Sequence, residues 1–196
     1  MGLFTYILKD IPDYKVTLLN EVFYEPLENY TLTETEQGSF VENSNIGLKM
    51  AIPSGWLVKK IEGLGMDNKG VKEGAIAIYS PDSEVNEATS IAYKGCGISA
   101  RCQISQKEKQ FHIIASTIED IQTGNEIAGS ELVSVSGMDA LWEIVLDEEE
   151  IGKAIMVSLP IDDKVHIFET VLPPSEKERC EKEFRDFLTK IEVTKK

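Results

Sequence analysis

Hydrophobic and polar positions along this chain follow two periods, and the switches between them mark out its elements. Leu48 to Ile52 is a short apolar run that enters Pro53-Ser54-Gly55 and leaves through Trp56-Leu57-Val58, which predicts an opening hairpin of strand, tight turn and strand. Proline sets φ at the second position of a turn, and glycine is favoured at the fourth. Ala75-Ile76-Ala77-Ile78-Tyr79 and Ile98 to Ile104 read as further strands. Over Gln106 to Gln122 the period lengthens, and Phe111, Ile114, Ile118 and Ile121 form one apolar stripe. That spacing predicts an amphipathic helix, closed by Thr123-Gly124.

Four strands are expected next, at about Glu126 to Val135, Met138 to Asp147, Gly152 to Leu159 and Lys164 to Leu172. Their short, turn-rich links predict an antiparallel meander. Runs such as Ile144-Val145-Leu146 and Ala154-Ile155-Met156-Val157 are apolar without alternation, which predicts a sheet buried on both faces. A second helix should start after Pro173-Pro174-Ser175. Ser175 and Glu178 have capping-box spacing, and Cys180, Phe184, Phe187, Leu188 and Ile191 would form the buried face. A tail strand is expected from Ile191 to Thr194, with Trp56 as a core anchor. Two amphipathic helices and a doubly apolar sheet predict an α+β fold, an α/β/α sandwich with a central antiparallel meander sheet and helices on both faces.

Residues 1–45 read differently, as an acidic N-terminal arm and linker ahead of a sandwich domain over 46–196. Eight acidic side chains in that stretch face only Lys9 and Lys15, and Pro12 and Pro26 interrupt its apolar clusters. Thr31 to Ser44 is polar and reads as the linker. Asn29-Tyr30-Thr31 matches a glycosylation acceptor but is read as chance in the absence of a secretory signal.

Charge narrows the partners. The net charge of −14 and pI near 4.6 repel phosphate backbones and anionic lipid, so nucleic acid is excluded and a protein with a basic surface is favoured. No apolar run approaches the ~20 residues that span a bilayer, and a soluble chain is expected. Cys96, Cys102 and Cys180 are odd in number and lack zinc spacing. Along one strand, Cys96 and Cys102 would lie roughly 20 Å apart, beyond disulfide reach, so free thiols and a cytoplasmic location are expected. The alternative is an exported or membrane-anchored protein whose leader has been removed.

Catalytic chemistry finds little support. His112 lies beside the apolar stripe of the first predicted helix, and His166 alternates with Phe168, Thr170 and Leu172 on a strand, so both read as packing or surface residues. No Gly-x-Ser-x-Gly, His-Glu-x-x-His or Cys-x-x-Cys is present. Gly63 and Gly65 lead into a strand instead of a helix, which argues against a phosphate cradle. No catalytic residue, metal or cofactor is expected. Cys102 and Cys180 read as small core residues, and Cys96, between two glycines, as the most exposed of the three. The densest charge run, Asp147, Glu148, Glu149 and Glu150, sits at a hairpin tip and is the candidate contact for a partner or a divalent cation. Asp162-Asp163 should lie at the other end of the sheet.

A strand entering Pro53-x-Gly55-Trp56, a strand opened by Gly137-Met138-Asp139-Ala140-Leu141, two more meander strands and a closing helix with Phe184, Phe187 and Leu188 resemble the PsbP-like superfamily. The resemblance covers about residues 46–194. It implies the α/β/α sandwich and a binding role, since the family includes a photosystem II extrinsic subunit, a Ran-binding import factor and bacterial effector chaperones. It carries over no functional residue. The leading expectation is a non-catalytic protein-binding, adaptor or chaperone-like domain, with a small-ligand or divalent-cation-binding protein as the alternative.

Overall fold

In a computed structural model, residues 23–36, 38–66, 70–104, 127–147 and 152–194 are described, and they are chiefly strand. Among the described residues fourteen strands run in chain order. The first five are β1 (Phe23–Tyr24), β2 (Thr31–Thr35), β3 (Gly38–Asn43), β4 (Leu48–Ile52) and β5 (Leu57–Met66). They are followed by β6 (Lys72–Tyr79), β7 (Glu84–Asn86), β8 (Ile91–Lys94) and β9 (Gly97–Ile104). The meander comprises β10 (Ile127–Val135), β11 (Met138–Asp147), β12 (Gly152–Ile161) and β13 (Lys164–Leu172). Helix α1 (Lys177–Leu188) and β14 (Ile191–Val193) close the chain.

The largest sheet has eight strands in the order β10-β11-β12-β13-β9-β6-β5, with β1 pairing the far end of β9. Every pairing in it is antiparallel, so the predicted meander from β10 to β13 is present in the predicted order. A second sheet of four strands runs β14-β4-β3-β2, and β7 and β8 form a separate ribbon.

One face of the large sheet points inward. Ile76 and Ile78 of β6, Ile98 and Ala100 of β9, Phe168 of β13 and Trp142 of β11 share one buried cluster with Val41, Leu48, Met50 and Ile52 of the small sheet and Phe184 and Phe187 of α1. The small sheet and the helix therefore cover the inner face together. Fully burying such a side chain contributes about 1.5–3 kcal/mol.

This overturns the expected α/β/α sandwich with helices on both faces. The described residues contain one α-helix, α1, on the inner face. The helix expected over 106–122, with His112, lies outside them. The small sheet that shares the inner face with α1 is completed by pairing β14 with β4 from far along the chain, a pairing that no local periodicity announces. Thr31 to Ser44, expected as a linker, holds the hairpin of β2 and β3. Its polarity has a simple cause: all of β2 is exposed, and of β3 only Val41 and Asn43 are buried.

The opening hairpin is also revised. Leu48 to Ile52 and the strand from Leu57 belong to different sheets, so Pro53 to Trp56 is a corner between layers. Trp56 N–H donates to the Pro53 carbonyl at 3.1 Å, and Gly55 has φ +79°, which places glycine at the third turn position, where a left-handed residue is required. Trp56 is half-buried at the margin of the core. Helix α1 buries Cys180, Phe184, Phe187 and Leu188 as expected, but its N-cap is Glu176 and no side chain caps it, so the Ser175 capping box does not form.

Candidate functional site: a groove beneath a stapled ribbon

Of the acidic tip, Asp147 ends β11 opposite Gly152, while Glu148, Glu149 and Glu150 lie outside the described residues. Asp163 sits at the other end of the meander, paired with Lys164 at 2.7 Å. His166 is fully buried on the inner face, where burial and then the Lys164 charge push its pKa down to about 4. Cys102 is a buried free thiol whose pKa burial drives well up, so it has the character of a core residue. Among the described residues no group of three or more His, Cys, Asp or Glu could hold a metal ion.

The concave feature is elsewhere, on the outer face of the large sheet. Here β6 presents Ala75, Ala77 and Tyr79, while its Ile76 and Ile78 fill the core. Neighbouring strands extend the small floor in register: Ala77 pairs with Lys59 of β5 and with Ser99 of β9, and Ser99 pairs with Glu169 of β13. A second row runs from Leu57 through Tyr79 and Gly97 to Val171. Larger side chains at Ala75, Ala77, Gly97 or Ser99 would fill the space. What remains is a cavity of about 250 Å³ between these residues and Thr89 to Ala92, at the turn and second strand of the β7–β8 ribbon.

The ribbon is held over the sheet by specific ties. Tyr79 Oη donates to the Ser90 carbonyl at 2.6 Å. Gly97 lets the ribbon settle close, because a Cβ there would stand 3.2 Å from the Ala92 methyl and 3.3 Å from the Tyr79 ring. A second cavity of about 330 Å³ undercuts the other side, between Ala92, Tyr93 and Pro173-Pro174. At the ribbon's base, Cys96 N–H donates to Ser80 Oγ at 2.9 Å, and Ser83 Oγ donates to the Cys96 carbonyl at 3.0 Å.

Helix α1 staples this base. Cys96 and Cys180 form a disulfide with Cα atoms 5.2 Å apart, which corrects the expectation of three free thiols and of an exposed Cys96: both partners are buried. Spacing along the chain keeps Cys96 away from Cys102, whereas Cys180 reaches Cys96 from the helix packed beside it. Gly95 N–H donates to Glu176 at 2.9 Å, and Arg179 forks onto both oxygens of Asp82 at 2.8 and 3.2 Å. The Arg179 guanidinium, with Ser80, holds the Asp82 carboxyl well below the usual carboxylate range.

Polar groups at the floor are few. Glu169 is engaged by Arg101 at 3.1 Å, and Arg101 also approaches Glu73 at 3.7 Å. The described lining residues are chiefly small and apolar, with Thr89, Ser90, Ser99 and Glu169 as the polar members, so the arrangement can bind apolar matter. The groove was missed in the sequence although a signal existed: Ala75-Ile76-Ala77-Ile78 alternates small with large, a strand with one filled face and one hollow face.

No family model matches the sequence. No curated protein matches it either. Comparison with solved structures does find likenesses. One is the solution structure of the cyanobacterial PsbP protein of Synechocystis, 10% identical with a TM-score of 0.48, covering 89% of this chain and 94% of that one. A second is the crystal structure of LpqN, involved in cell envelope biogenesis in Mycobacterium tuberculosis, 10% identical with a TM-score of 0.50, covering 94% and 99%. A third is a protein of Bacteroides thetaiotaomicron, 12% identical with a TM-score of 0.47, which covers 90% of this chain and 49% of that protein, so the chain spans about half its length. At such identities the likeness is one of fold alone, and the fold this chain shares is the PsbP-like fold that its sequence resembles.

Proposed function

We propose that this chain is a non-catalytic binding domain that receives apolar side chains of a protein partner in the groove beneath the β7–β8 ribbon. The observation that carries this reading is the groove itself: a floor of small residues under a covalently fastened roof. Its volume of about 250 Å³ accommodates apolar side chains of a partner. The net charge of −14 favours basic surface elsewhere on that partner, and the acidic run from Asp147 to Glu150 is its proposed contact.

The disulfide supports an oxidising compartment, because such bonds form and persist outside reducing cytosol. That favours the exported alternative over the cytoplasmic expectation. Among the described residues no helix is long and apolar enough to cross a membrane.

Filling the groove tests the reading. The Ala75→Leu substitution places an isobutyl group in the cavity at a half-buried position, so the fold should persist while partner capture from source-cell extract falls at least tenfold. Undiminished capture by a folded Ala75→Leu protein would sink the proposal. So would the absence of any partner together with saturable binding of a small apolar molecule.

A further inference from the structure

The groove opens beside an unpaired strand edge. β5 pairs with β6 from Leu57 to Glu62, and among the described residues no strand pairs with its other side. In an antiparallel strand every second residue turns its N–H and C=O away from its partner, so with respect to the described residues this edge is a row of unused donors and acceptors. We propose that the partner adds an extended segment to this edge as a further strand, with apolar side chains beside Leu57 and Ile61 and a carboxylate opposite Lys59. This deepens the binding reading above and rests on it.

The devices that ordinarily close an edge are diverted here. Exposed edges are commonly guarded by outward lysines, prolines or bulges. Lys60 instead donates to the Leu27 carbonyl at 2.8 Å, and Lys59 leans back with its ammonium 5.8 Å from the Tyr79 ring centre. No proline interrupts β5, and its register stays regular until Glu62.

Side chains on this edge specify the partner's pattern. Leu57, Lys59 and Ile61 share the groove face, since they pair with Tyr79, Ala77 and Ala75. Leu57 is 60% exposed, an apolar side chain at the open edge of the groove's own row. Residues opposite one another on antiparallel strands lie on one face, so an incoming strand sets three alternate side chains against these three. Apolar, acidic and apolar is the complementary order. A second copy of this chain is disfavoured: twofold pairing of this edge centred on Lys59 keeps the groove faces together and sets Lys59 opposite Lys59 of the other molecule, and like charges directly opposite are destabilising.

The probe is a capped, fluorescein-labelled heptapeptide in which threonine alternates with leucine, glutamate and leucine, titrated into the full chain by anisotropy. We expect a Kd below about 1 mM, loss of binding when the peptide amides are N-methylated, and slowed hydrogen exchange of outward amides within 57–62. Lys59→Glu, at an exposed position, should weaken binding at least tenfold while leaving the melting temperature unchanged. A peptide with lysine in place of glutamate should recover that loss on the Lys59→Glu protein. A Kd above about 1 mM, or indifference to N-methylation or to the charge exchange, overturns the proposal. If Ala75→Leu abolishes partner capture while Lys59→Glu does not, the groove reading stands and the added strand falls. If Ala75→Leu captures normally, the groove reading itself falls.

Discussion

Two buried ionisable side chains on opposite faces of the large sheet pull its stability in opposite directions with pH. His166 is fully buried on the inner face, and neither ring nitrogen has a hydrogen-bond partner. Its pKa falls from 6.5 to about 4, so its contribution is whole above pH 6.5 and is lost as pH drops toward 4, where only the unfolded chain takes up the proton. Glu143, buried on the outer face beside Met156, is shifted by burial from 4.5 to about 7. Its contribution is whole below pH 4.5 and is lost as pH rises toward 7, where only the unfolded chain ionises. Each is worth about 3 kcal/mol over its span, so between pH 4.5 and 6.5 they offset. Replacing one should unmask the other. Glu143→Gln should lose about 3 kcal/mol of stability on going from pH 7 to 4.5, whereas His166→Leu should gain about as much over the same fall. Urea unfolding at three pH values distinguishes them, and parallel profiles for both variants would refute the assignment. The alternation of His166 with Phe168 was readable in the sequence; the burial of Glu143 was not, because a lone glutamate amid Trp142 and Ile144 has the pattern of an exposed strand position.

Among the elements, the β7–β8 ribbon depends on its fastening to α1. The disulfide joins residues separated by 84 positions, and chain-entropy arguments assign such a loop about 4–5 kcal/mol, less whatever the thiol state relaxes. The Arg179–Asp82 fork, the Gly95–Glu176 hydrogen bond and the Tyr79–Ser90 tie remain without it. The double substitution Cys96→Ser, Cys180→Ser should therefore lower unfolding free energy by about 2–5 kcal/mol and leave a folded protein. Amide exchange over Glu84 to Lys94 should quicken more than exchange over the meander. A loss below about 1 kcal/mol, or uniform quickening across both regions, would show that the bond is not what holds the ribbon. The sequence revealed α1 and the meander because contiguous periodicity encodes them. It concealed the staple, since the approach of Cys180 to Cys96 is set by the turn after β13 and by the seating of the ribbon on Gly97, both tertiary facts.

For the whole molecule, the outcome is two β layers sharing one core with a single described helix. The antiparallel sheet was legible from β6 onward. The small sheet was legible only in part: β4 and β14 show as strands through their alternating buried positions, but β2 and β3 are mostly exposed, and the pairing of β14 with β4 joins distant segments. Charge acts at this same scale. With 34 acidic against 20 basic side chains, the folded state confines an excess of negative charge that the unfolded chain spreads out. Ion pairs at the surface, such as Lys72 with Glu62 and Lys49 with Glu42, are mostly exposed and contribute little. Self-repulsion therefore dominates the response to salt. Raising sodium chloride from about 10 mM to 300 mM shortens the screening length from about 30 Å to well under 10 Å, below the width of the domain. The urea midpoint should rise with salt at pH 7, and the rise should shrink at pH 4.5, where carboxylates begin to neutralise. Association with a basic partner should slow over the same salt range, because steering weakens with the field. A urea midpoint that falls with salt at pH 7 would mean that the exposed pairs outweigh the charge excess, and the acidic character would then have to be explained by local pairing instead of by the molecule's net field.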